Sequence, residues 1–552
     1  MLFDFHYHLL FKHYISKGQS LPLDKDLRTD GISQVLNDVF GGPFDSQSSP
    51  SIISRSELQI GVVAILSLEY AFAEHAFKIF GIDLFSKFPI DADVFNKTKN
   101  SLTSYYEEFK NQVKFHVTNQ NALEQNPYNI VYLDRKNWQG KDISQIITTL
   151  STAGKRYMAF SIEGGHNLSN VPIKTGRSLS PELQLKEVQD TSQLDFISMN
   201  LCHLSEIPEQ TLGGFAQGVN KMSQIAFKSD FFMPKNEFGL TEPGKKVIRQ
   251  ALTHPTKPIL IDVKHMSLYT RLHYYEFRDK IISEVPGTER LPIISSHSGF
   301  TFTTVSDYIQ NKRFNSISGE EDGNPFRKVE PENRKIGRTN DLILKALWGN
   351  PWTINLFDED IIEIMESKGM IGISLDQRIL GHAKAVLDAE RPKYYEPEYV
   401  AVQEWEKLFR DGQYPTAEKL ELPGPLEKIR RERHIMLLCL HVVYAVRIGY
   451  EHIAWMEGTS PWDCICIGSD YDGLINPING FNNTEDLKGL KQQLQKYLPQ
   501  ADKYLKEDTS RKALDYDANG NVIRQSMDDN IEKFLFRNGL NFTARYLTNW
   551  QE

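Results

Sequence analysis

The hydrophobic positions of this chain gather into eight short runs, and a longer polar or amphipathic stretch follows each of them. The runs are rich in β-branched residues and almost continuously apolar, which is typical of strands buried on both faces of a parallel sheet. They cover residues 1–8, 57–69, 156–165, 194–203, 258–267, 291–299, 369–376 and 463–473.

Helical patterns lie between several of these runs. In residues 142–156 and 358–369, apolar side chains recur at spacings of three and four, and a glycine follows near the end. Alternation of buried strands with amphipathic helices indicates an α/β fold. Eight such units predict a (β/α)8 TIM-like barrel.

The chain has 552 residues, more than eight such units need. Residues 305–350 and 378–432 hold much of the excess; the first stretch is polar and rich in charge, and the second contains many prolines and charges. Each stretch follows a strand candidate, so we expect large insertions in the βα loops, forming a lid, a small subdomain or surface decoration. We therefore treat residues 1–552 as one barrel domain with two insertions.

Composition excludes some classes of partner. Hydrophobic residues make up 40% of the chain, charged residues 24%, and the formal net charge is −9, which argues against nucleic-acid binding. The four cysteines include no CxxC pair, and we find neither a signal peptide nor an apolar run of about 20 residues. We predict a cytoplasmic protein without a membrane partner.

Residues able to bind a metal recur where the predicted strands end. Individually each match is weak, since a lone His-x-His pair is more often incidental than functional. In a barrel, however, the carboxyl ends of all strands converge on one face. The residues at these ends are His6, His8, Glu163, His203, His265, His297 and Asp470.

These residue types favour a divalent metal. Neutral imidazoles and carboxylates suit Zn²⁺ or a similar ion. Glu163 precedes two glycines and offers two oxygens, so it could bridge two ions about 3.5–4 Å apart. We predict two divalent ions per chain, zinc being the first choice and the identity open.

Four motifs then resemble one known family. They are EGGH at 163–166, IDVKHMS at 261–267, SHS at 296–298 and GSDYDG at 468–473. Together with the closing segment 531–547, they resemble the membrane (renal) dipeptidases, peptidase family M19 of the amidohydrolase superfamily. The resemblance spans the barrel but not the two insertions.

The resemblance implies a barrel of the metal-dependent hydrolase type and a binuclear, dipeptidase-like enzyme. It implies that His6 and His8 bind one ion, that Glu163 bridges, and that His265 and His297 bind the second ion.

The resemblance also implies roles for the remaining polar residues. Asp470 would lie beside the metals and pass a proton from water to the leaving amine. His203 would bind substrate and stabilise the oxyanion. Asp472 and His166 would be structural.

Two departures from the family bear on the substrate. His8 stands where the family carries Asp, and Ile354 stands where the family carries an Arg that holds the substrate carboxylate. The leading hypothesis is hydrolysis of a dipeptide or similar small amide.

Two alternatives stay open. The same site could act on an N-acyl amino acid, a cyclic amide or a lactone, or the barrel could bind metal without catalysis. The expected partner is a dipeptide or another small molecule, and a homodimer is left open.

Overall fold

The fold was analysed in a computed structural model of the chain. It describes residues 1–31, 33–34, 37, 42–74, 78–79, 82–83, 91–152, 154–172, 180–205, 211–218, 230–234, 239–309, 314–319, 326–331, 334–336, 347–381, 398–408, 430–505 and 511–550. Much of the two predicted insertions lies outside the described residues.

Eight parallel strands form the centre of the molecule, and each coincides with one of the eight hydrophobic runs. Neighbours in the sheet follow chain order from the first strand to the eighth. The prediction of eight strand units is therefore confirmed. The strands are β1 (Leu2–Tyr7), β2 (Leu58–Ile65), β3 (Arg156–Ile162), β4 (Phe196–Asn200), β5 (Leu260–Asp262), β6 (Ile294–Ser298), β7 (Met370–Ile373) and β8 (Ile465–Ile467).

The sheet closes into a barrel just beyond β8. The Asp470 amide donates to the His6 carbonyl at 2.8 Å, and the His8 amide donates to the Tyr471 carbonyl at 2.9 Å. Below this, the Ser469 amide donates to the buried Asp4 carboxylate at 2.9 Å. The first strand is thereby joined to the segment after the last, which confirms the (β/α)8 barrel.

Helices surround the strands, and the predicted helices before β3 and β7 are present. The longer ones are α1 (Ala92–Lys99), α2 (Tyr105–Leu123), α3 (Ile143–Leu150), α4 (Pro181–Thr191), α5 (Glu242–Thr253), α6 (Leu268–Glu284), α7 (Asp358–Glu366), α8 (Arg430–His452), α9 (Leu490–Tyr504), α10 (Arg524–Glu532) and α11 (Asn538–Leu547). A π-helical turn, Lys533–Arg537, joins the last two.

Short helices complete the chain between these elements. The α-helical ones are Phe11–Ile15, Pro50–Ser54, Tyr70–Glu74, Val305–Ile309, Gln377–Leu380 and Val402–Leu408. The 3₁₀ turns are Lys17–Gln19, Arg135–Trp138, Gly165–Leu168, Asp230–Phe232, Pro461–Cys464 and Thr484–Gly489.

Local sequence signals explain several helix starts. Ser104 and Glu107 form a reciprocal capping box at the start of α2. Ser267 accepts a hydrogen bond from the Thr270 amide at 3.2 Å and so caps α6. Because Ser267 ends the IDVKHMS motif, that motif fixes where the helix after β5 begins.

The described parts of the two insertions meet in one small antiparallel sheet. Phe314–Gly319 pairs with Phe326–Pro331, which pairs in turn with Glu398–Ala401. Residues 305–350 and 378–432 therefore share a structural element, although they lie on either side of β7. Whether they act as a lid stays a prediction.

Other short strands lie apart from that small sheet. Ile130–Tyr132 pairs with the start of β3, Lys78–Ile79 with Ile82–Asp83, and Arg334–Lys335 with Trp348–Gly349.

A buried carboxylate ties the small sheet to the rest of the molecule. Glu398 accepts hydrogen bonds from the Tyr308 hydroxyl at 2.5 Å and from the Thr353 amide and hydroxyl, both at 2.9 Å. Burial raises the pKa of Glu398 to about 7, these hydrogen bonds oppose the rise, and nearby Glu404 adds to it.

The most apolar long helix is a core element. By length and composition α8 is the one described helix that could span a membrane, with a mean hydropathy of 1.2 in its most apolar window. Yet 89% of that window is buried inside the protein. A core helix passes the same test, and the cytoplasmic location stays a prediction.

The C-terminal helix α11 packs directly against the first strand. A Cβ atom added at Gly539 would overlap the ring of Phe3, which lies on β1 and is fully buried. Close packing here depends on the missing side chain.

Replacing Gly539 with alanine should lower stability. The added methyl group must displace the Phe3 ring, and overpacking of this kind typically costs about 1–3 kcal/mol. Chemical denaturation of the variant measures the loss. Gly489→Ala is the matched control, because no atom lies within 4 Å of its added Cβ. Equal midpoints for the Gly539 variant and the wild type would contradict the packing argument.

Stability should also depend on Glu398 between acidic and neutral pH. The folded pKa of about 7 exceeds the ordinary 4.5, so the folded state binds the proton more tightly. The contribution is fully present below about pH 4.5 and lost as the pH rises through 7, on the order of 3 kcal/mol in all. Glu398→Gln should flatten this part of the unfolding free energy against pH, measured by urea denaturation. A variant profile as steep as that of the wild type would show that Glu398 is not the group responsible for the pH dependence.

Candidate metal centre

The seven residues singled out from the sequence lie at the carboxyl end of the barrel. His6 and His297 lie within β1 and β6, and the others follow their strands by one to three residues. The structure therefore brings the set together from six strands. The seven are His6, His8, Glu163, His203, His265, His297 and Asp470.

The Glu163 carboxylate lies at the centre of the cluster. Its Oε1 atom is 3.2 Å from His6 Nε2, 3.5 Å from His203 Nε2 and 3.7 Å from His265 Nε2. His8 Nε2 lies 3.2 Å from the other oxygen, Oε2. With His297 Nε2 at 3.8 Å from Oε1, five imidazoles direct the same ring nitrogen at one carboxylate.

Histidines from neighbouring strands also face each other. The Nε2 atoms of His265 and His297 are 3.1 Å apart, and the rings of His6 and His297 lie 4.0 Å apart. At this distance two neutral Nε2 atoms can share only one hydrogen. A cation between them would instead accept both lone pairs.

Burial and charge set opposite protonation tendencies within the cluster. Burial lowers the pKa of His265 and His297, and neighbouring cationic groups lower it further. Burial also lowers the pKa of His8, but the Glu163 and Asp470 carboxylates outweigh it and raise the value to about 9. Burial raises the pKa of Glu163, and the surrounding histidines hold it well below its ordinary value. Metal binding would deprotonate these imidazoles.

The donor atoms fit a metal better than a hydrogen-bond network. The ring nitrogens of His6 and His8 are buried and have no partner in hydrogen-bond geometry, nor has Glu163 Oε2. Buried polar atoms without partners are costly, so their concentration needs an explanation. Imidazole nitrogens and carboxylate oxygens directed at one point are the ligands that first-row divalent ions prefer.

Two groups of donor atoms, sharing Glu163, are close enough to hold an ion. Within each group all donor atoms lie within 4.8 Å of one another. One group is His6, Glu163, His297 and Asp470, and the other is Glu163, His203 and His265. The shared carboxylate suits a bridging ligand, while the division of histidines between two ions stays a prediction.

Two of the cluster residues adopt left-handed backbone conformations. His265 has φ 70° and Asp470 has φ 62°, values that non-glycine residues rarely adopt. Hydrogen bonds hold both residues, since the His265 carbonyl accepts from the Ala216 amide at 2.8 Å and the Asp470 amide donates to the His6 carbonyl at 2.8 Å. Such strain persists where the surroundings over-determine it, often at functional sites.

The two motif residues predicted to be structural contact neighbouring loops. Asp472 accepts hydrogen bonds from the amides of Gln47 and Ser48 at 2.8 and 2.9 Å. His166 Nε2 lies 2.9 Å from the Ser67 carbonyl oxygen. Each therefore holds a loop beside the cluster.

Sequence reasoning missed one residue of this region. Glu69 is 1% exposed, and its Oε2 atom lies 3.2 Å from His203 Nδ1. A signal was present, since Glu69 ends the second hydrophobic run, as the other site residues end theirs.

The position that departs from the family's arginine is apolar. Ile354 is buried and packs with Ala216 and Trp352. A nearby arginine along the chain, Arg378, donates to the Asp376 carboxylate at 2.6 Å and to the Leu474 carbonyl at 3.0 Å.

No protein-family model and no curated protein matches the chain. Solved structures do. Dipeptidase AC, a metallopeptidase of family M19, is 13% identical with a TM-score of 0.44, covering 98% of this chain and 97% of its own. The probable dipeptidase PvdM from Pseudomonas aeruginosa is 12% identical with a TM-score of 0.46, covering 100% and 95%.

A third solved structure is a metallopeptidase from Rhodobacter sphaeroides bound to a phosphinate mimic of L-Ala-D-Ala. It is 12% identical, with a TM-score of 0.41, and covers 99% of this chain and 98% of its own. At this level of similarity none of the three adds an argument about function. The chain is similar to these three proteins, and the first of them is described as a member of peptidase family M19.

Proposed function

We propose that this protein is a metal-dependent hydrolase that cleaves an amide bond in a dipeptide or a similar small molecule. The observation that carries the proposal is the convergence of five imidazole Nε2 atoms on the buried Glu163 carboxylate, with Asp470 beside them. A purely structural network would leave fewer polar atoms without partners.

The chain's own residues would hold two divalent ions, for which zinc is the first candidate. His6 and His8 would bind one ion, His265 and His297 the other, and Glu163 would contact both through its two oxygens. Bound there, such ions supply Lewis acidity, which acidifies water and polarises a carbonyl oxygen.

Asp470 is the residue best placed to move a proton. Its Oδ1 atom lies 3.7 Å from His8 Nε2 and 3.9 Å from His6 Nε2, and its side chain is 14% exposed, whereas those of the two histidines are at most 1% exposed. It therefore borders both the cluster and the space open to substrate. Burial raises the pKa of Asp470, so its carboxylate is a better base than an ordinary one. It would take a proton from water and deliver it to the leaving amine.

His203 would act on the substrate carbonyl. Its Nε2 atom lies 3.5 Å from Glu163 Oε1, so a donor on this atom faces the cluster. Burial lowers the pKa of His203, but the Glu69 and Glu163 carboxylates outweigh this and raise it to about 10. A protonated ring can stabilise negative charge on the carbonyl oxygen.

One observation favours a second substrate class on the same site. The position of the family's carboxylate-binding Arg is occupied here by Ile354, within a buried apolar group that includes Ala216 and Trp352. A substrate without a free carboxylate, such as a cyclic amide or a lactone, would not need the cationic partner that an isoleucine cannot provide. An N-acyl amino acid carries a free carboxylate, as a dipeptide does, so the absence of the arginine does not favour it.

The purified protein should bind two equivalents of a divalent metal, and Glu163→Gln should reduce the amount sharply. The change removes the one negatively charged oxygen pair shared by both groups of ligands. Elemental analysis after equilibration with Zn²⁺ and desalting measures the ratio. His254→Gln is the matched control, because His254 pairs with surface Asp190. Equal metal content in wild type and Glu163→Gln would contradict the site.

Asp470→Asn should abolish most turnover while the metal stays bound. Loss of a positioned base typically costs at least about 100-fold in kcat. Steady-state kinetics and metal analysis of the same preparation separate chemistry from metal loss. Asp517→Asn, in an exposed turn, should behave as wild type. Unchanged turnover in the Asp470 variant would contradict the role of Asp470 as the base, whereas no turnover by either protein would favour a metal-binding barrel without catalysis.

A substrate panel should decide between the two substrate classes. It would compare L,L- and L,D-dipeptides with N-acyl amino acids, cyclic amides and lactones, with amine or acid release as the readout. We expect hydrolysis of at least one dipeptide. Hydrolysis confined to substrates without a free carboxylate would replace the dipeptide assignment and keep the hydrolase.

A further inference from the structure

Glu69 joins two loops at the mouth of the barrel. It follows β2, is 1% exposed, and places Oε2 at 3.2 Å from His203 Nδ1. Its other oxygen, Oε1, accepts a hydrogen bond from the Ser205 amide at 3.1 Å. One carboxylate therefore lies within ion-pair distance of the His203 ring and accepts a hydrogen bond from the backbone two residues further on.

The second nitrogen of that ring faces the metal centre. His203 Nε2 lies 3.5 Å from Glu163 Oε1, and the ring packs edge-on against His265 at 4.6 Å between centroids. Because each ring nitrogen faces a carboxylate oxygen, each is placed to carry a hydrogen. The Nε2–H bond is thereby directed into the cluster.

The segment that carries this carboxylate is itself firmly held. Asn167 Oδ1 accepts from the Ser67 amide at 2.9 Å, and His166 Nε2 lies 2.9 Å from the Ser67 carbonyl oxygen. On the other side, the Tyr105 hydroxyl accepts from the Tyr70 amide at 2.7 Å. His166, which ends the EGGH motif, and Asn167, which follows it, thus support the loop after β2. The motif therefore has a structural role in addition to supplying Glu163 to the cluster.

We propose that Glu69 is a positioning residue for His203. By accepting the Nδ1 hydrogen it fixes the ring so that Nε2–H donates to the substrate carbonyl oxygen as negative charge develops there. This inference rests on the proposed hydrolase function and adds strand β2 to the site. Carboxylates that accept from the far nitrogen of a functional imidazole set its orientation in the same way.

A merely structural Glu69 would behave differently. A buried carboxylate needs partners whatever its role, and its loss would then lower stability without acting through His203. The positioning role instead predicts that the kinetic effect of changing Glu69 disappears when His203 is already absent. A double-mutant cycle measures this coupling directly.

The experiment compares Glu69→Gln, His203→Asn and the double variant on the best substrate of the panel. We expect Glu69→Gln to lower kcat about 10–100-fold, with KM and metal content unchanged. The double variant should be no slower than His203→Asn alone. The matched control is Glu108→Gln, a buried carboxylate on α2 that accepts from the Tyr14 hydroxyl at 2.8 Å and should retain full kcat.

Glu69→Asp provides a second variant in case the glutamine variant does not fold. It keeps the charge but withdraws it from Nδ1, so kcat should fall less than in Glu69→Gln and again only when His203 is present. Wild-type kcat in the Glu69 variants, or losses that add to that of His203→Asn, would overturn the positioning role and leave the hydrolase standing. Failure of the metal-loaded wild type to hydrolyse any member of the panel would overturn both.

Discussion

The buried Glu163 carboxylate is the group on which the arrangement of side chains at the carboxyl end of the barrel depends. Glu163 is 2% exposed, and it is compensated by imidazoles from β1, β4, β5 and β6. A buried charge without partners is strongly destabilising, so the strands that supply those partners must end at matching heights. Closure of the barrel between β1 and the segment after β8 meets this requirement.

The charges around Glu163 also give the histidines of the cluster different protonation tendencies. Burial keeps His265 and His297 inclined to the neutral form, in which they donate lone pairs. His203 lies between two carboxylates and is inclined to the protonated form. The same residue type thus has different protonation tendencies within one cluster, because neighbouring charges and burial differ from strand to strand.

The sequence predicted the barrel well, since each of the eight hydrophobic runs contains one barrel strand. It also located the residues of the cluster. Alternate residues of β1 point to the same side, and the residues that end the other strands lie at the same end of the barrel. It did not single out Glu69, whose partner His203 is 134 positions away along the chain. Nor did it show that the two insertions pair in one small sheet. Pairing between distant segments produces no periodic pattern of hydrophobic residues within either segment.

The sequence by itself determined the element order, the strand-end histidines and carboxylates, and the substitutions His8 and Ile354 relative to the family that the motifs resemble. Only the tertiary structure decided which nitrogens face Glu163, which atoms lack partners, and what holds each ring. The physical reason is that strand spacing sets which residues can meet, whereas ring orientation and protonation depend on burial and on charges brought in from other strands.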